Sequence, residues 1–191
     1  MDFAAARRAM VDSQLRPQAV SDPLVIAAMA VVPREDFVPS AARPLAYVDR
    51  IVPLGHGRGL SPPATLGRML TELEPKPGER ALVVGAGTGY SAAVLAEMGL
   101  QVLAVESQPE LLEGLRQVAG VKVAAGPLEG GALDDAPFDL VLLDGTVELI
   151  PDTLIDQIRP GGRLGACMIE GGVPRFVIGR RSEHGFGVKS F

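Results

Sequence analysis

The stretch Ala81-Leu-Val-Val-Gly-Ala-Gly-Thr-Gly-Tyr-Ser-Ala-Ala-Val-Leu-Ala96 decides how the rest of the chain is read. Four apolar residues make a strand, three glycines follow on alternate positions, and a run of small residues continues as a helix. In open α/β sheets such a strand-to-helix turn presents backbone N–H groups to a nucleotide or nucleoside. A P-loop needs Gly-Lys followed by Ser or Thr, and no lysine lies near Gly89, so that option fails. A dinucleotide fingerprint needs a small residue at the sixth position of the loop. That position is Tyr90, which weakens a dinucleotide site without excluding it.

Working outward, strands and helices alternate from residue 80 onward. Strands are expected over Arg80–Val84, Gln101–Val105, Val121–Ala125, Asp139–Leu143 and Arg163–Ile169. Helices are expected over Tyr90–Met98, Pro109–Val118 and Leu149–Ile158, the last stopped by Pro160-Gly161-Gly162. Phe176–Arg180 and Gly187–Phe191 read as a closing hairpin. Short apolar strands alternating with helices predict an α/β fold, a doubly wound and mostly parallel sheet with helices on both faces. Upstream, helices are expected over residues 3–15 and over Asp22–Val32, ending before Pro33. Prolines 33, 39, 44 and 53 make the next segment turns and extended chain. Ser61-Pro62 reads as the N-cap and first residue of a helix running to Leu73. The chain is read as a single domain of 191 residues, with residues 1–75 a helical and loop extension and 76–191 the α/β core. Its last strand stops at Phe191 as if further residues had paired with it or covered it.

Composition narrows the function. The chain is 47% apolar with a net charge of −5, and its basic residues are scattered with no stripe or aromatic platform, which argues against nucleic acid. The single cysteine, Cys167, permits no internal disulfide, fits a reducing compartment and reads as a core residue. Charged residues interrupt the first sixteen positions, and no apolar run reaches the ~18 residues of a membrane span, so a cytoplasmic protein is expected. Two histidines and one cysteine, far apart, give no metal site. His184 reads as turn surface, and there is no Gly-x-Ser-x-Gly elbow for a hydrolase triad.

The spacing Gly85-x-Gly87-x-Gly89 resembles the first motif of class I S-adenosylmethionine-dependent methyltransferases. Glu106, at the end of the second strand of the core, is placed to accept the hydroxyls of a ribose; capping the helix that begins at Pro109 is the plainer alternative. The wider chain resembles the protein-L-isoaspartate O-methyltransferases. The match runs through Met10-Val-Asp-Ser-Gln-Leu-Arg16, Ala28-Met-Ala-Val-Val-Pro-Arg-Glu-Asp-Phe-Val-Pro39, Ala46-Tyr47 and Pro53-Leu-Gly-His-Gly-Arg-Gly-Leu-Ser-Pro-Pro63. It continues through Gly85–Leu95, Ala136-Pro-Phe-Asp139 and Gln157 to Gly161-Gly-Arg-Leu164.

The resemblance implies S-adenosyl-L-methionine as cofactor and isoaspartyl residues of damaged proteins or peptides as acceptors. It places the cofactor on Gly85, Gly87, Gly89, Glu106, Ser107, Gly126 and Pro127. Ser61 falls on the family serine that orients the acceptor carboxylate, with His56, Gly57 and Asp144 beside it. Helix capping by Ser61, a solvated loop for His56 and a loop-capping role for Asp144 stand as the structural alternatives. The chain also departs from the family pattern. Arg58-Gly59 replaces Gln-Thr/Ser, Pro62 follows the serine, and Val83 stands where an acid is usual. Gly126-Pro127-Leu128-Glu129-Gly130 replaces Gly-Asp-Gly, and Asp144-Gly145-Thr146 replaces small uncharged residues. These departures leave two other functions open, a small-molecule methyltransferase with a changed pocket and a catalytically silent binding protein.

Overall fold

The computed structural model describes all 191 residues. Helix α1 (Phe3–Met10) starts where the Asp2 carboxylate accepts the N–H of Ala5, and it continues to Leu15 as a wider π turn. Helix α2 (Pro23–Val31) combines a proline in its first turn with an Asp22 cap on Leu24 and Val25. Short 3-10 turns over Arg34–Phe37 and Ser40–Leu45 lead to a two-stranded ribbon, β1 (Val52–Gly55) and β2 (Arg58–Leu60). Then follow α3 (Pro63–Leu73), β3 (Arg80–Val84), α4 (Tyr90–Glu97), β4 (Gln101–Glu106), α5 (Pro109–Leu115) and β5 (Val121–Ala125). The chain closes with β6 (Phe138–Val147), α6 (Asp152–Ile155), β7 (Ile158–Glu170), β8 (Val173–Ser182) and β9 (Gly185–Ser190).

The main sheet has the order β5-β4-β3-β6-β7-β8-β9. Its first five strands are parallel, and β7, β8 and β9 form an antiparallel meander. Because β3 pairs with β4 on one side and with β6 on the other, strand order reverses at β3. The carboxyl ends of β3, β4 and β6 therefore open the crevice in which ligands of such sheets bind. Ala81 to Val84 are all buried, as a parallel strand covered on both faces requires. Alternate residues feed two cores: Ala81 and Val83 pack with the N-terminal helices, α3 and α4, while Leu82 and Val84 pack with Phe138, Leu154 and Ile158. Met10, Leu15, Val25 and Met29 of the extension belong to the larger core.

Four sequence expectations change. The helix expected over Leu149–Ile158 shrinks to Asp152–Ile155, because Pro151 is extended and Ile158 already pairs with Phe138. Pro160-Gly161-Gly162 does not stop a helix: it is an irregularity inside β7, between the pairs Phe138–Ile158 and Leu140–Arg163. A Cβ at Gly162 would lie 2.9 Å from the carbonyl oxygen of Arg159 and 3.0 Å from that of Asp139, so this close backbone approach favours glycine. Finally, β6 does not end at Leu143; it resumes pairing at Thr146 with Cys167 after a bulge across Leu143–Gly145. Cys167 is half-buried, not part of the core.

Candidate functional site

The glycine loop is built by backbone conformation. Gly85, Gly87 and Gly89 have φ of +75°, +57° and +96°, the left-handed region that side-chain-bearing residues avoid. At Gly89 space is also closed, since a Cβ would lie 2.6 Å from Leu115 of α5. The amides of Gly85 and Ala86 bond the Val105 carbonyl, tying the loop to the end of β4.

Glu106 ends β4 and is fully buried. Its carboxylate accepts the backbone N–H groups of Gly87 at 2.8 Å, Ser107 at 2.7 Å and Gln108 at 3.0 Å. It also receives the Arg58 guanidinium, through Nε at 3.1 and 3.2 Å and Nη2 at 3.0 Å, while Arg58 Nη2 reaches Ser107 Oγ at 3.0 Å. Burial alone would push this carboxyl up. Arg58 and the Gln108 and Gly87 amides outweigh it and hold the group below the usual carboxylate range. Of the two sequence readings of Glu106, the local one is seen directly: its carboxylate steadies the turn into α5 through the Ser107 and Gln108 amides.

Across the crevice, Ser61 is not the helix cap. Helix α3 begins at Pro63 without a side-chain cap from its own chain end, and the distant Asp49 carboxylate accepts the Ala64 N–H instead. The Ser61 hydroxyl is thereby free to donate to Asp144 Oδ1 at 3.4 Å. Ser91, in the first turn of α4, donates to Asp144 Oδ2. The β6 bulge is what turns Asp144 toward both serines, and its backbone carbonyl lies 3.5 Å from a Cβ built at Gly85. Burial pushes the Asp144 carboxyl above the usual carboxylate range, against the opposing pull of Ser91, Ser61 and Arg34.

Arg34 is the residue that sequence reading passed over. It is fully buried, donating Nε to the Ala46 carbonyl at 2.6 Å and Nη2 to the Ser61 carbonyl at 2.5 Å, so it fixes the loop that carries the serine. Its guanidinium lies 4.8 Å from the centre of the Tyr90 ring, and burial draws its pKa down. Arg34 Nη1 and the Tyr90 hydroxyl are buried without a hydrogen-bond partner. An arginine within Pro-Arg-Glu-Asp-Phe carries no local signal of such a role; only its place in the quoted resemblance drew attention to the segment. Ser91 was equally invisible, a polar residue in a run of alanines.

The remaining expected residues spread around this centre. His56 (φ +53°) and Gly57 form the tip of the ribbon, where His56 Nδ1 lies 3.7 Å from Glu110 of α5, a half-exposed contact away from Ser61's hydrogen bonds. Gly126 and Pro127 follow β5, with the Gly126 amide on the Glu106 carbonyl. Glu129, the nearest acid to the missing Gly-Asp-Gly carboxylate, is exposed. No group of three or more metal-ligating side chains comes together, and no helix is long and apolar enough to cross a membrane.

The family model for protein-L-isoaspartate (D-aspartate) O-methyltransferase matches residues 5–178. The chain belongs to this family. A protein-L-isoaspartate O-methyltransferase of Gloeobacter violaceus is 43% identical over 161 residues, 81% of this chain and 78% of that one. One from Methylorubrum extorquens is 42% identical over 168 residues, 85% of this chain and 74% of that one. Among solved structures, one protein-L-isoaspartate O-methyltransferase superposes with a TM-score of 0.83 at 20% identity, covering 97% of this chain; this chain spans 63% of it. A Plasmodium falciparum member of the family, solved in complex with S-adenosyl-L-homocysteine, superposes with a TM-score of 0.81 at 20% identity over 97% of this chain and 94% of that one. The fold of the protein-L-isoaspartate O-methyltransferases is thus the fold of this chain, a mostly parallel Rossmann-like sheet preceded by helices.

Proposed function

We propose that the chain transfers the methyl group of S-adenosyl-L-methionine to the carboxylate of L-isoaspartyl residues in damaged proteins or peptides. The observation that carries this reading is the continuity of one crevice: Ser61, Asp144, the glycine loop and Glu106 adjoin in that order at the point where the sheet reverses. The residues suit the cofactor. Glycines at 85 and 87 let a nucleoside approach the backbone, and the paired oxygens of Glu106 match a ribose diol. Ser107, Gly126 and Pro127 flank the nucleoside. Pro127 has no acceptor for an adenine amino group, so that contact falls to backbone carbonyls.

When bound, the cofactor supplies an electrophilic methyl group on a sulfonium. The chain's own task is placement. An isoaspartyl carboxylate is ionised at neutral pH and needs no base, so orientation and exclusion of water supply the acceleration. Ser61 donates its hydroxyl to the acceptor, held by Arg34 through the Ser61 carbonyl. His56 and Gly57 stand at the ribbon tip as peptide contacts. Burial favours the neutral form of Asp144, the form that adds no negative charge beside an anionic acceptor.

Transfer of tritiated methyl groups to an isoaspartyl peptide and to its normal aspartyl isomer tests the reading. Excess incorporation into the isoaspartyl form is expected; equal incorporation with a cofactor-competent protein would overturn it. One observation favours a second reading: an acid, Asp144, lies in hydrogen-bond contact with Ser61 on the crevice side of β6, where it would suit an amine acceptor in a small molecule. In that case Asp144→Ala abolishes turnover of such a substrate while Ser61→Ala does not.

A further inference from the structure

Arg58 stands where the resemblance leads one to expect glutamine, and it lies on the carboxylate reserved for the ribose. A carboxylate offers about four lone-pair positions. Glu106 already accepts three backbone N–H groups and the Arg58 fork. The backbone donors are fixed by the glycine loop and by the turn into α5. The Ser107 hydroxyl adds only a long contact of 3.5 Å, so the Arg58 side chain is the strong donor able to leave, and it has solvent access, 21% exposed against none for Glu106. The strand that carries it is also built to yield. β2 has three residues, and the ribbon turn Gly55-His56-Gly57 has φ of +88°, +53° and +72°. Nothing lies within 4 Å of a Cβ built on Gly55 or Gly57. The same ribbon sets Leu54 against the loop, 3.0 Å from a Cβ built on Gly87. Ribbon side chains thus sit over both expected nucleoside contacts, Leu54 over Gly87 and Arg58 over Glu106.

We propose that Arg58 is the gate of the cofactor site: its guanidinium holds Glu106 in the free protein and must be displaced for a ribose to bind there. The inference rests on the cofactor assignment made above. Part of the ribose binding energy goes into breaking a buried fork, which lowers the affinity for both the methylated cofactor and its demethylated product. Fast product release is the benefit to turnover.

The test uses S-adenosyl-L-homocysteine and three full-length proteins, wild type, Arg58→Gln and Arg58→Lys, each checked for a cooperative thermal transition. Calorimetric titration is expected to show Arg58→Gln binding at least about tenfold tighter than wild type, about 1.4 kcal/mol, with Arg58→Lys between them. Equal or weaker binding by a folded Arg58→Gln protein would overturn the gate. A measurement without any variant stands beside it. In arginine-labelled wild type, the Arg58 Nε–H resonance is expected to be protected in the free protein and to shift and lose protection when the ligand saturates. Saturation that leaves this resonance unchanged also overturns the gate. No binding by any of the three proteins at millimolar ligand would instead defeat the cofactor assignment, and the gate with it.

Discussion

Ser61 and Asp144 each had a plainer structural explanation in the sequence, and their surroundings separate role from explanation. With Ala64 capped by Asp49, the Ser61 hydroxyl contributes nothing to the start of α3. Ser61→Ala should therefore leave the unfolding midpoint within about 2 °C, where loss of a cap of ~1 kcal/mol would lower it by more. Turnover should fall roughly tenfold to a hundredfold, the worth of one hydrogen bond to a charged group, with S-adenosyl-L-homocysteine binding unchanged. Asp144 makes a pH prediction. Its folded pKa is raised, so the native state holds the proton more tightly than the unfolded chain does. The associated stability is complete below the ordinary aspartate range and is lost as pH rises through the raised value. Asp144→Asn should accordingly gain thermal stability over wild type as pH rises through the raised value and lose that advantage below the ordinary aspartate range. Methylation by wild type should decline as pH rises through that raised value, where Asp144 ionises beside the anionic acceptor, and the Asn variant should lack that decline.

At the scale of elements, one side chain makes three hydrogen bonds around the connection between β5 and β6. Gln157, fully buried, accepts the Ala132 N–H at 2.8 Å and donates to the carbonyls of Gly130 at 2.8 Å and Thr153 at 2.9 Å. It ties together the two short 3-10 turns of this connection, Leu128–Gly130 and Leu133–Asp135. Gln157→Ala removes three part-buried hydrogen bonds and should cost about 1–3 kcal/mol, lowering the unfolding midpoint by several degrees. Hydrogen exchange should rise first in residues 127–135. The sequence offered a helix here because Leu149–Ile158 has the right apolar spacing. Spacing does not reveal that Gln157 has partners in a distant loop, nor that β7 begins at Ile158 and bulges through Pro160-Gly161-Gly162.

For the whole molecule, Arg163 joins the N-terminal extension to the sheet. From β7 it donates to the carbonyls of Leu73 and Glu74 at the end of α3 and pairs with Glu79 at 2.7 and 3.0 Å. Burial pushes the Glu79 carboxyl up, but the Arg163 guanidinium, the Lys76 backbone amide and the Lys76 charge hold it below the usual range. Its stabilising effect is present above the ordinary glutamate pKa and is lost as pH falls through the lowered value. Arg163→Met should cost about 3–5 kcal/mol by leaving Glu79 and the two carbonyls without a partner. The same variant should lose part of the wild-type acid sensitivity between the ordinary and lowered glutamate pKa, as read by thermal unfolding across pH.

Local chemistry sufficed for much of this protein. Apolar runs, the alternating glycines and the Asp22-Pro23 helix start identify the strands, the cofactor loop and the order of the core, because each is a property of residues near in sequence. Glu106 was legible for the same reason, as an acid ending a strand. Contacts that join distant segments were not. Asp49 freeing Ser61 from the cap, the β6 bulge aiming Asp144 at Ser61 and Ser91, buried Arg34 beneath the serine loop and Arg58 seated on Glu106 span 15 to 83 positions along the chain. Pairing across such separations is set by the packing of the sheet and its ribbon, and no residue pattern within one segment encodes it. The sequence determined the strand, glycine loop and helix that open the crevice; the tertiary structure decided which side chains meet there, Arg58 on Glu106 and two serines on Asp144, because those contacts are set by packing across the whole chain.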